Sequence, residues 1–504
     1  MKYVDNFLNK ITMYKTVLYG LLVITACAFV ASFFGFIFYT PLDLLYSFVI
    51  LFFICYITNF VISFTFNIAV NIESQYITAL ILFLILKPLS SLEELKVFLI
   101  AGVVSMASKY VLAIGKKHIF NPVAIALVIT GLLGYGSAFW WVGSSVLLVP
   151  VAIVGFLVLR KTQRFTMFTA FAAAAVVSII GMNLFRGFSV FEALTFAILS
   201  GPLLFFGAIM LTEPLTTPTK NKFRIIYGVF VGLLYGLQWK FGPVGSSPEM
   251  ALVIGNLLSY ALSPRARLVL TLVQKNALSK DVYDFVWKPD KKLVFRPGQY
   301  LEWTMPIYGG DSRGNRRYFT IASSPTEAHI HLGVKFYENP SSFKKKLLAM
   351  NEGETLVASQ LSGEFILPED RNKKLVFIAG GIGVTPFRSM AKYMFDMQDK
   401  RDAVMFYSNR TPKDIVYRDF FENCRNLGLN TIFVVNELEG EVVSRVLRQG
   451  FITPELIMKE VPDYKERAFY ISGPRGMVTA FEKTLSELGV KKSNIHTDFF
   501  PGFV

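Results

Sequence analysis

The chain has 504 residues, 53% of them hydrophobic, with a mean hydropathy of +0.46 and a formal net charge of +15. That is too apolar for a soluble protein of this length, so part of it belongs in a lipid bilayer, and the three cysteines (Cys27, Cys55, Cys424) are too few and too scattered for a disulfide framework or an iron–sulfur cluster. The basic residues cluster beside apolar spans, where anionic lipid headgroups account for them and nucleic acid does not.

Apolar residues concentrate before about residue 263, and charged and turn residues dominate afterwards, which puts a junction at Ser263-Pro264-Arg265-Ala266-Arg267. Residues 1–15 form a short basic arm. The apolar span at 17–39 is long and others follow it, so it reads as a retained anchor rather than a cleaved signal. Further spans lie near 43–66, 76–89, 96–114, 119–134, 139–159, 165–184, 190–212, 224–239 and 249–262. This predicts a polytopic α-helical membrane domain over 1–262 with about ten helices, several shorter than the ~20 residues of a straight crossing. Loops after even-numbered spans carry Lys116, Lys117, Arg160, Lys161, Arg164, Lys220, Lys222, Arg224, Arg265 and Arg267. Those after odd-numbered spans carry few basic residues, such as Lys96, Arg186 and Lys240. The positive-inside rule then places both termini on the cytoplasmic side of the cell's inner membrane.

The helical part also repeats itself. Lys87-Pro88-Leu89-Ser90-Ser91 returns as Glu213-Pro214-Leu215-Thr216-Thr217, Gly102 as Gly228, and Asn121-Pro122 as Ser247-Pro248, all at an offset of 126 residues. Five spans per repeat would make the second inverted relative to the first. Broken helices in such pairs line sites, and Lys87 and Glu213 are the ionisable residues beside the breaks. Thr216, Thr217, Thr219 and Lys222 offer polar groups at the inner break, Ser90 and Ser91 at the outer one.

Lys117-His118-Ile119-Phe120-Asn121-Pro122 and Thr212-Glu213-Pro214-Leu215-Thr216-Thr217-Pro218-Thr219, the latter followed by Arg224-Ile225-Ile226-Tyr227-Gly228, carry a resemblance to a known family. They resemble the flavin-carrying membrane proteins of the sodium-translocating NADH:quinone reductase and of the Rnf complex. Members of that family hold one flavin covalently on a threonine. No Ser-Gly-Ala-Thr-like attachment sequence occurs here, so the resemblance implies flavin (FMN or riboflavin) or quinone in the membrane half without implying covalent attachment.

Past the junction, Arg267-Leu268-Val269-Leu270 opens a run of alternating strands, and Phe295-Arg296-Pro297-Gly298-Gln299-Tyr300 is a strand approach. Later, the apolar strand Leu375-Val376-Phe377-Ile378-Ala379 runs into Gly380-Gly381-Ile382-Gly383 and then a helix beginning at Thr385-Pro386. Such a turn lets backbone N–H groups and a helix dipole approach a diphosphate. With Arg317-Tyr318-Phe319-Thr320-Ile321-Ala322-Ser323 upstream and Tyr470-Ile471-Ser472-Gly473-Pro474 downstream, this half resembles the ferredoxin–NADP reductase-like superfamily. The resemblance implies an antiparallel β-barrel binding FAD (264–370) and an α/β domain binding NADH or NADPH (371–504). It also implies roles. Arg317 would meet the flavin diphosphate, Phe319 the isoalloxazine, and Thr320 its N5, with Tyr318, Ser323 and Lys335 in the same site and Ser341-Ser342 opening a helix toward the phosphates. Gly380, Gly381, Gly383, Thr385, Pro386, Gly473 and Pro474 would receive the nicotinamide nucleotide. Ser472 would stand at the nicotinamide, and Ser408 and Arg410 near a 2′-phosphate. Phe500, in the terminal Asp498-Phe499-Phe500-Pro501-Gly502-Phe503, would stack on the flavin.

The chain therefore reads as an NAD(P)H-oxidising flavoenzyme fused to its own membrane electron acceptor, delivering electrons to quinone or to an extracytoplasmic flavin-binding protein. A haem-bearing reductase would need several membrane histidines, and only His118 is near the membrane. A solute or ion transporter with a regulatory flavin reductase domain is the alternative from another class.

Overall fold

The computed structural model describes residues 4, 7–8 and 11–498, apart from 67–71, 115–116, 136–137, 196, 198, 200, 238, 242–243, 263–266, 308–310, 312–314, 439 and 441–445. The expected junction at 263–266 and the expected flavin-stacking Phe500 lie outside the described residues. Contacts divide the chain into two compact units, Met1–Ser263 and Pro264–Val504.

In the first unit, α1 (Met13–Phe33), α2 (Pro41–Phe66), α3 (Ile72–Ile85) and α4 (Leu92–Val111) lead to a hairpin of β1 (Ala113–Ile114) and β2 (Lys117–His118), then to α5 (Pro122–Leu132). The order then recurs. It runs through α6 (Leu148–Thr162), α7 (Phe165–Phe185) and a broken stretch made of α8 (Val190–Thr195), α9 (Leu203–Phe205) and a π turn (Phe206–Met210). After these come α10 (Asn221–Gly236), a hairpin of β3 (Lys240–Phe241) and β4 (Val244–Gly245), and α11 (Pro248–Leu262). Proline at the first position suits both α5 and α11, because it lacks only an N–H the helix would leave unpaired. The residue before each proline caps the helix: Asn121 Oδ1 accepts from Val123 N and Ala124 N, both at 3.1 Å, and Ser247 Oγ accepts from Met250 N at 3.2 Å. The sequence offset is thus an equivalence of elements.

Among the described residues, four helical segments are long and apolar enough to cross a membrane: 13–33, 41–66, 145–162 and 165–185. Others expected as spans are short. α3 has 14 residues, α5 has 11 and α11 has 15, so at 1.5 Å per residue they reach about 16–23 Å against a hydrocarbon core of ~30 Å. The span expected at 190–212 is not one helix but the broken stretch, interrupted before α9, which Pro202 caps.

α10 lies almost backbone to backbone on α7. A Cβ at Gly228, Gly232 or Gly236 would come within 2.6 Å of Met167 O, 2.5 Å of Phe171 O and 2.5 Å of Ser178 Cβ respectively. Glycine at every fourth position is what permits that approach.

The second unit holds two sheets. The first is antiparallel and six-stranded, in the order β8-β7-β10-β5-β6-β9, from β5 (Leu268–Ala277), β6 (Val282–Pro289), β7 (Tyr300–Thr304), β8 (Arg316–Thr320), β9 (Ile330–Lys335) and β10 (Thr355–Ser362), with α12 (Ser342–Ala349) between the last two. The pairing that was expected to form a barrel leaves β8 and β9 at the two ends of this order. The second is a six-stranded parallel sheet, ordered β14-β13-β12-β11-β15-β16. Its strands are β11 (Leu375–Gly380), β12 (Ala403–Asn409), β13 (Leu429–Val435), β14 (Leu447–Gln449), β15 (Ala468–Ser472) and β16 (Ile495–Asp498), with α13 (Thr385–Asp396), α14 (Arg418–Asn423), α15 (Pro454–Glu460) and α16 (Arg475–Glu487) in the connections. Every residue of β11 is buried, as a central parallel strand covered on both faces requires. Strand order reverses between β11 and β15, and such a reversal opens a crevice at the carboxyl ends of the two strands.

Candidate functional site

At that reversal the two glycine motifs meet. A Cβ on Gly383 would stand 2.5 Å from Ser472 O and 2.6 Å from Gly473 Cα, and one on Gly380 would stand 2.3 Å from Met477 Sδ. Gly381 differs: its φ is +53° and a Cβ there would meet nothing within 4 Å. The turn is therefore closed toward Ser472-Gly473 and open at Gly381. α13 begins at Thr385-Pro386, where Thr385 Oγ1 donates to Ile382 O at 3.2 Å, and α16 begins after Pro474. Two helix N-termini, each favourable to an anion, thus follow the two adjacent turns. Ser472 is buried at the end of β15. Ser408 is the register partner of Gly380 at the end of β12. Arg410 is exposed and lies 3.5 Å from Glu437.

In the antiparallel sheet, Arg317 and Phe319 share one face of β8, opposite the buried Trp303 and Leu301. The Arg317 guanidinium lies over the Phe343 ring at 5.6 Å, and its Nη1 donates to Arg316 O at 2.6 Å. Phe319 meets the same ring at 5.8 Å. Tyr318, on the other face, donates to Glu302 Oε2 at 2.7 Å and stands edge-on to Tyr300. Tyr318, not Phe319, is thus the exposed aromatic of the motif, and Thr320 is buried. Ser341 is the N-cap of α12, accepting from Lys344 N at 3.3 Å, and Ser342 N donates to Asp311 Oδ2 at 2.8 Å. A carboxylate therefore already serves the helix N-terminus where a phosphate was expected. Lys335 pairs with Asp281 at 3.1 Å.

Several groups escaped the sequence reading. Ser323 O accepts from Ser389 Oγ at 2.6 Å, and Arg388 donates to Ala322 O at 3.0 Å while its fork holds Glu327, 2.9 Å from Nη2. Those bonds tie α13 to the segment after β8. His331 Nδ1 lies 2.7 Å from Asp284 Oδ2. Asp498 is the register partner of Ser472, and burial pushes its carboxyl up to about 7. None of these pairings has a local signal, since each partner comes from a distant stretch.

The two breaks of the helical unit prove chemically unlike. Lys87 pairs at 2.6 Å with Glu94, whose carboxylate also accepts from Ser91 N at 2.7 Å, so the Ser90-Ser91 stretch serves as the cap of α4. At the other break Thr216 and Thr217 are buried. Thr217 Oγ1 donates to Glu213 O at 3.0 Å and accepts from Arg164, and the buried hydroxyl of Thr219 has no hydrogen-bond partner among the described residues. Glu213 itself reaches His118 and Asn121 of the other repeat, at 3.0 and 2.9 Å.

Residues 377–483 match the family model of the oxidoreductase NAD-binding domain. Curated relatives include the glycine betaine monooxygenase reductase subunit of Pseudomonas aeruginosa, 28% identical over 225 residues, covering 44% of this chain and 60% of the relative. The flavohemoprotein of Oceanobacillus iheyensis is 26% identical over 242 residues, covering 45% and 58%. The chain thus spans at most 60% of the length of these relatives. Similar solved structures include the flavohem-like FAD/NAD-binding domain of a Vibrio cholerae nitric oxide dioxygenase, at 23% identity and a TM-score of 0.41, covering 46% of this chain and 98% of that one. An Amycolatopsis cytochrome P450 reductase gives 22% and 0.42, covering 47% and 70%.

Proposed function

We propose, from the premise that the second unit is a ferredoxin reductase-like FAD/NAD-binding region of an oxidoreductase, that the chain is a membrane-bound NAD(P)H oxidoreductase. It passes electrons from NAD(P)H through FAD into the helical half and on to quinone or to an extracytoplasmic flavin protein. Residues 264–370 would hold FAD and 371–504 the nicotinamide nucleotide, with 1–262 in the inner membrane and the reductase half in the cytoplasm. The observation that carries the reading is the backbone contact of Gly383 with Ser472-Gly473 beside the open Gly381. A glycine turn left bare at Gly381 and followed, like its neighbour, by a helix N-terminus suits a dinucleotide diphosphate.

FAD, when bound, supplies the conversion of a two-electron hydride donor into single electrons. The chain's own residues bind and orient. Arg317 offers a charged fork for a diphosphate. Thr320 and Ser472 are small buried hydroxyls that keep bulky groups and water away from the reacting rings. Ser341 and Ser342, at the N-terminus of α12, stay candidates for the flavin phosphates alongside their capping bonds. Thr216, Thr217 and Thr219 remain the candidates for the polar end of a membrane flavin or quinone, Thr219 being the one with a buried, unengaged hydroxyl.

Purified full-length protein should contain about one FAD per chain and reduce an artificial acceptor with NADH or NADPH. Arg317→Ala should weaken FAD retention roughly 10- to 100-fold, since a charge-assisted bond contributes ~1.5–3 kcal/mol. Folded protein that stays colourless when supplied with FAD would sink the proposal. For the membrane route, the reading requires NAD(P)H-driven reduction of quinone, or of a membrane-impermeant acceptor outside sealed proteoliposomes.

A further inference from the structure

One set of polar side chains in the helical unit converges on the Glu213 carboxylate. Glu213 Oε1 lies 3.0 Å from His118 Nε2, and Oε2 accepts from Asn121 Nδ2 at 2.9 Å with the Thr216 hydroxyl at 3.4 Å. Asn256 Oδ1 holds Asn121 N at 2.8 Å, and its Nδ2 donates to Tyr227 at 3.1 Å. His118 and Asn121 come from the first repeat, Glu213, Thr216, Tyr227 and Asn256 from the second, so the cluster exists only where the repeats meet. Among the described residues no group of three His, Cys, Asp or Glu side chains gathers to hold a metal ion. A lone imidazole against a lone carboxylate is instead a place for a proton.

We infer that His118 and Glu213 form a proton-binding site of the helical half, reached through the exposed part of the Glu213 side chain. The inference rests on the membrane electron route proposed above, because reduction of a quinone consumes two protons along with its two electrons. In the protonated state an imidazolium faces a carboxylate and the pair is neutral overall. On release, His118 is neutral and Glu213 alone is charged, one proton having passed to the quinone for each electron the quinone receives, and a proton from solvent restores the imidazolium. A single buried charge needs support. Lys109 on α4 is in electrostatic reach of Glu213, and Tyr227 on α10 is in reach of both Glu213 and Arg164. Asn121 Nδ2 and Thr216 hold the carboxylate's orientation in both states. Access is built in: the Glu213 side chain keeps 24% of its surface, against 10% for His118. Arg164, buried beside the exposed Gln163, donates to Thr217, which in turn donates to the backbone of Glu213. Lys87, at the equivalent break, makes only a surface pair.

The test uses full-length protein in proteoliposomes. Infrared difference spectra across a pH titration should show a carboxyl or imidazole change that Glu213→Gln and His118→Gln both remove. Glutamine at either position keeps hydrogen-bonding capacity, so at least one variant should fold. NAD(P)H-driven quinone reduction should fall at least tenfold in both variants and lose its pH dependence, with partial recovery in Glu213→Asp and an unchanged rate toward an artificial acceptor of the reductase half. Wild-type spectra in the variants, or a wild-type quinone rate and pH profile, would overturn the inference. If wild-type protein reduces no quinone, the electron route falls instead, and the infrared titration still decides the proton site.

Discussion

Glycine removes side chains at the crossings of both halves, but for different ends. Along α10 the space left by Gly228, Gly232 and Gly236 is filled by the backbone and small side chains of α7. At the end of β11, Gly380 and Gly383 are likewise crowded, yet Gly381 between them faces open space in a left-handed conformation. A glycine whose missing Cβ would strike protein is a packing device. One whose missing Cβ would strike nothing, beside two that are packed, marks a surface kept bare for something else. The contrast separates architecture from site inside a single residue type.

The largest effect should come from the packing glycines. Gly232→Leu would drive a branched side chain into Phe171 O and Ala174, where the nearest atoms are backbone and cannot turn aside. Overpacking typically costs about 1–3 kcal/mol, and more where backbone atoms block relief. Full-length protein should lose its monodisperse peak in detergent, while the reductase half in the same sample still binds FAD. A monodisperse Gly232→Leu protein would mean that α7 and α10 are not held as close as described.

Next in size are the site glycines, which should separate from one another. Gly383→Ala must part the turn from Ser472-Gly473, and NAD(P)H-driven reduction of an artificial acceptor should fall about 100-fold with FAD retained, in keeping with the sensitivity of catalysis to displacements near 1 Å. Gly381→Ala meets no atom and adds only the left-handed strain of ~1 kcal/mol. Its fold should be intact, and its defect should appear as a raised KM for the nucleotide. Equal stability losses in the two variants would erase the distinction between packed and bare glycines.

How much of this was legible depends on how local the rule is. The turn at 380–383, its partner at 472–474 and the offset relating Asn121-Pro122 to Ser247-Pro248 follow from what glycine and proline do to their own backbone, so a few consecutive residues reveal them. Hydropathy marked 190–212 as one span because a break in a helix leaves its composition unchanged. The offset made Lys87 and Glu213 look equivalent, yet Lys87 finds Glu94 seven residues on, while Glu213 finds His118 ninety-five residues back. Asp311 at the head of α12, Arg388 on Glu327 and Asp498 beside Ser472 are products of tertiary register, which no window of sequence contains. Phe319, which the resemblance sets on the isoalloxazine, also packs on Phe343 from its position opposite the buried Leu301, a contact between stretches too far apart for a local signal.

Two half-buried acids sharpen the same comparison, with the smallest effect. Glu213 is surrounded by donors, whereas burial alone acts on Asp498 and lifts its carboxyl to about 7, well above the ~3.9 of an unfolded chain. Between these two values the folded state binds the proton more tightly, so folding stability falls as pH rises from about 4 to about 7 and is level above that. Asp498→Asn should therefore stabilise the second unit at pH 8 by on the order of 1–2 kcal/mol, the full shift being discounted because the residue is only half-buried, and should give no gain at pH 4. Because a two-unit chain does not melt in one step, the measurement is the temperature at which full-length protein releases its FAD, compared between variant and wild type at the two pH values. A gain at pH 4 equal to that at pH 8 would show that Asp498 is not the titrating group, and that burial beside Ser472 leaves its carboxyl as it is in water.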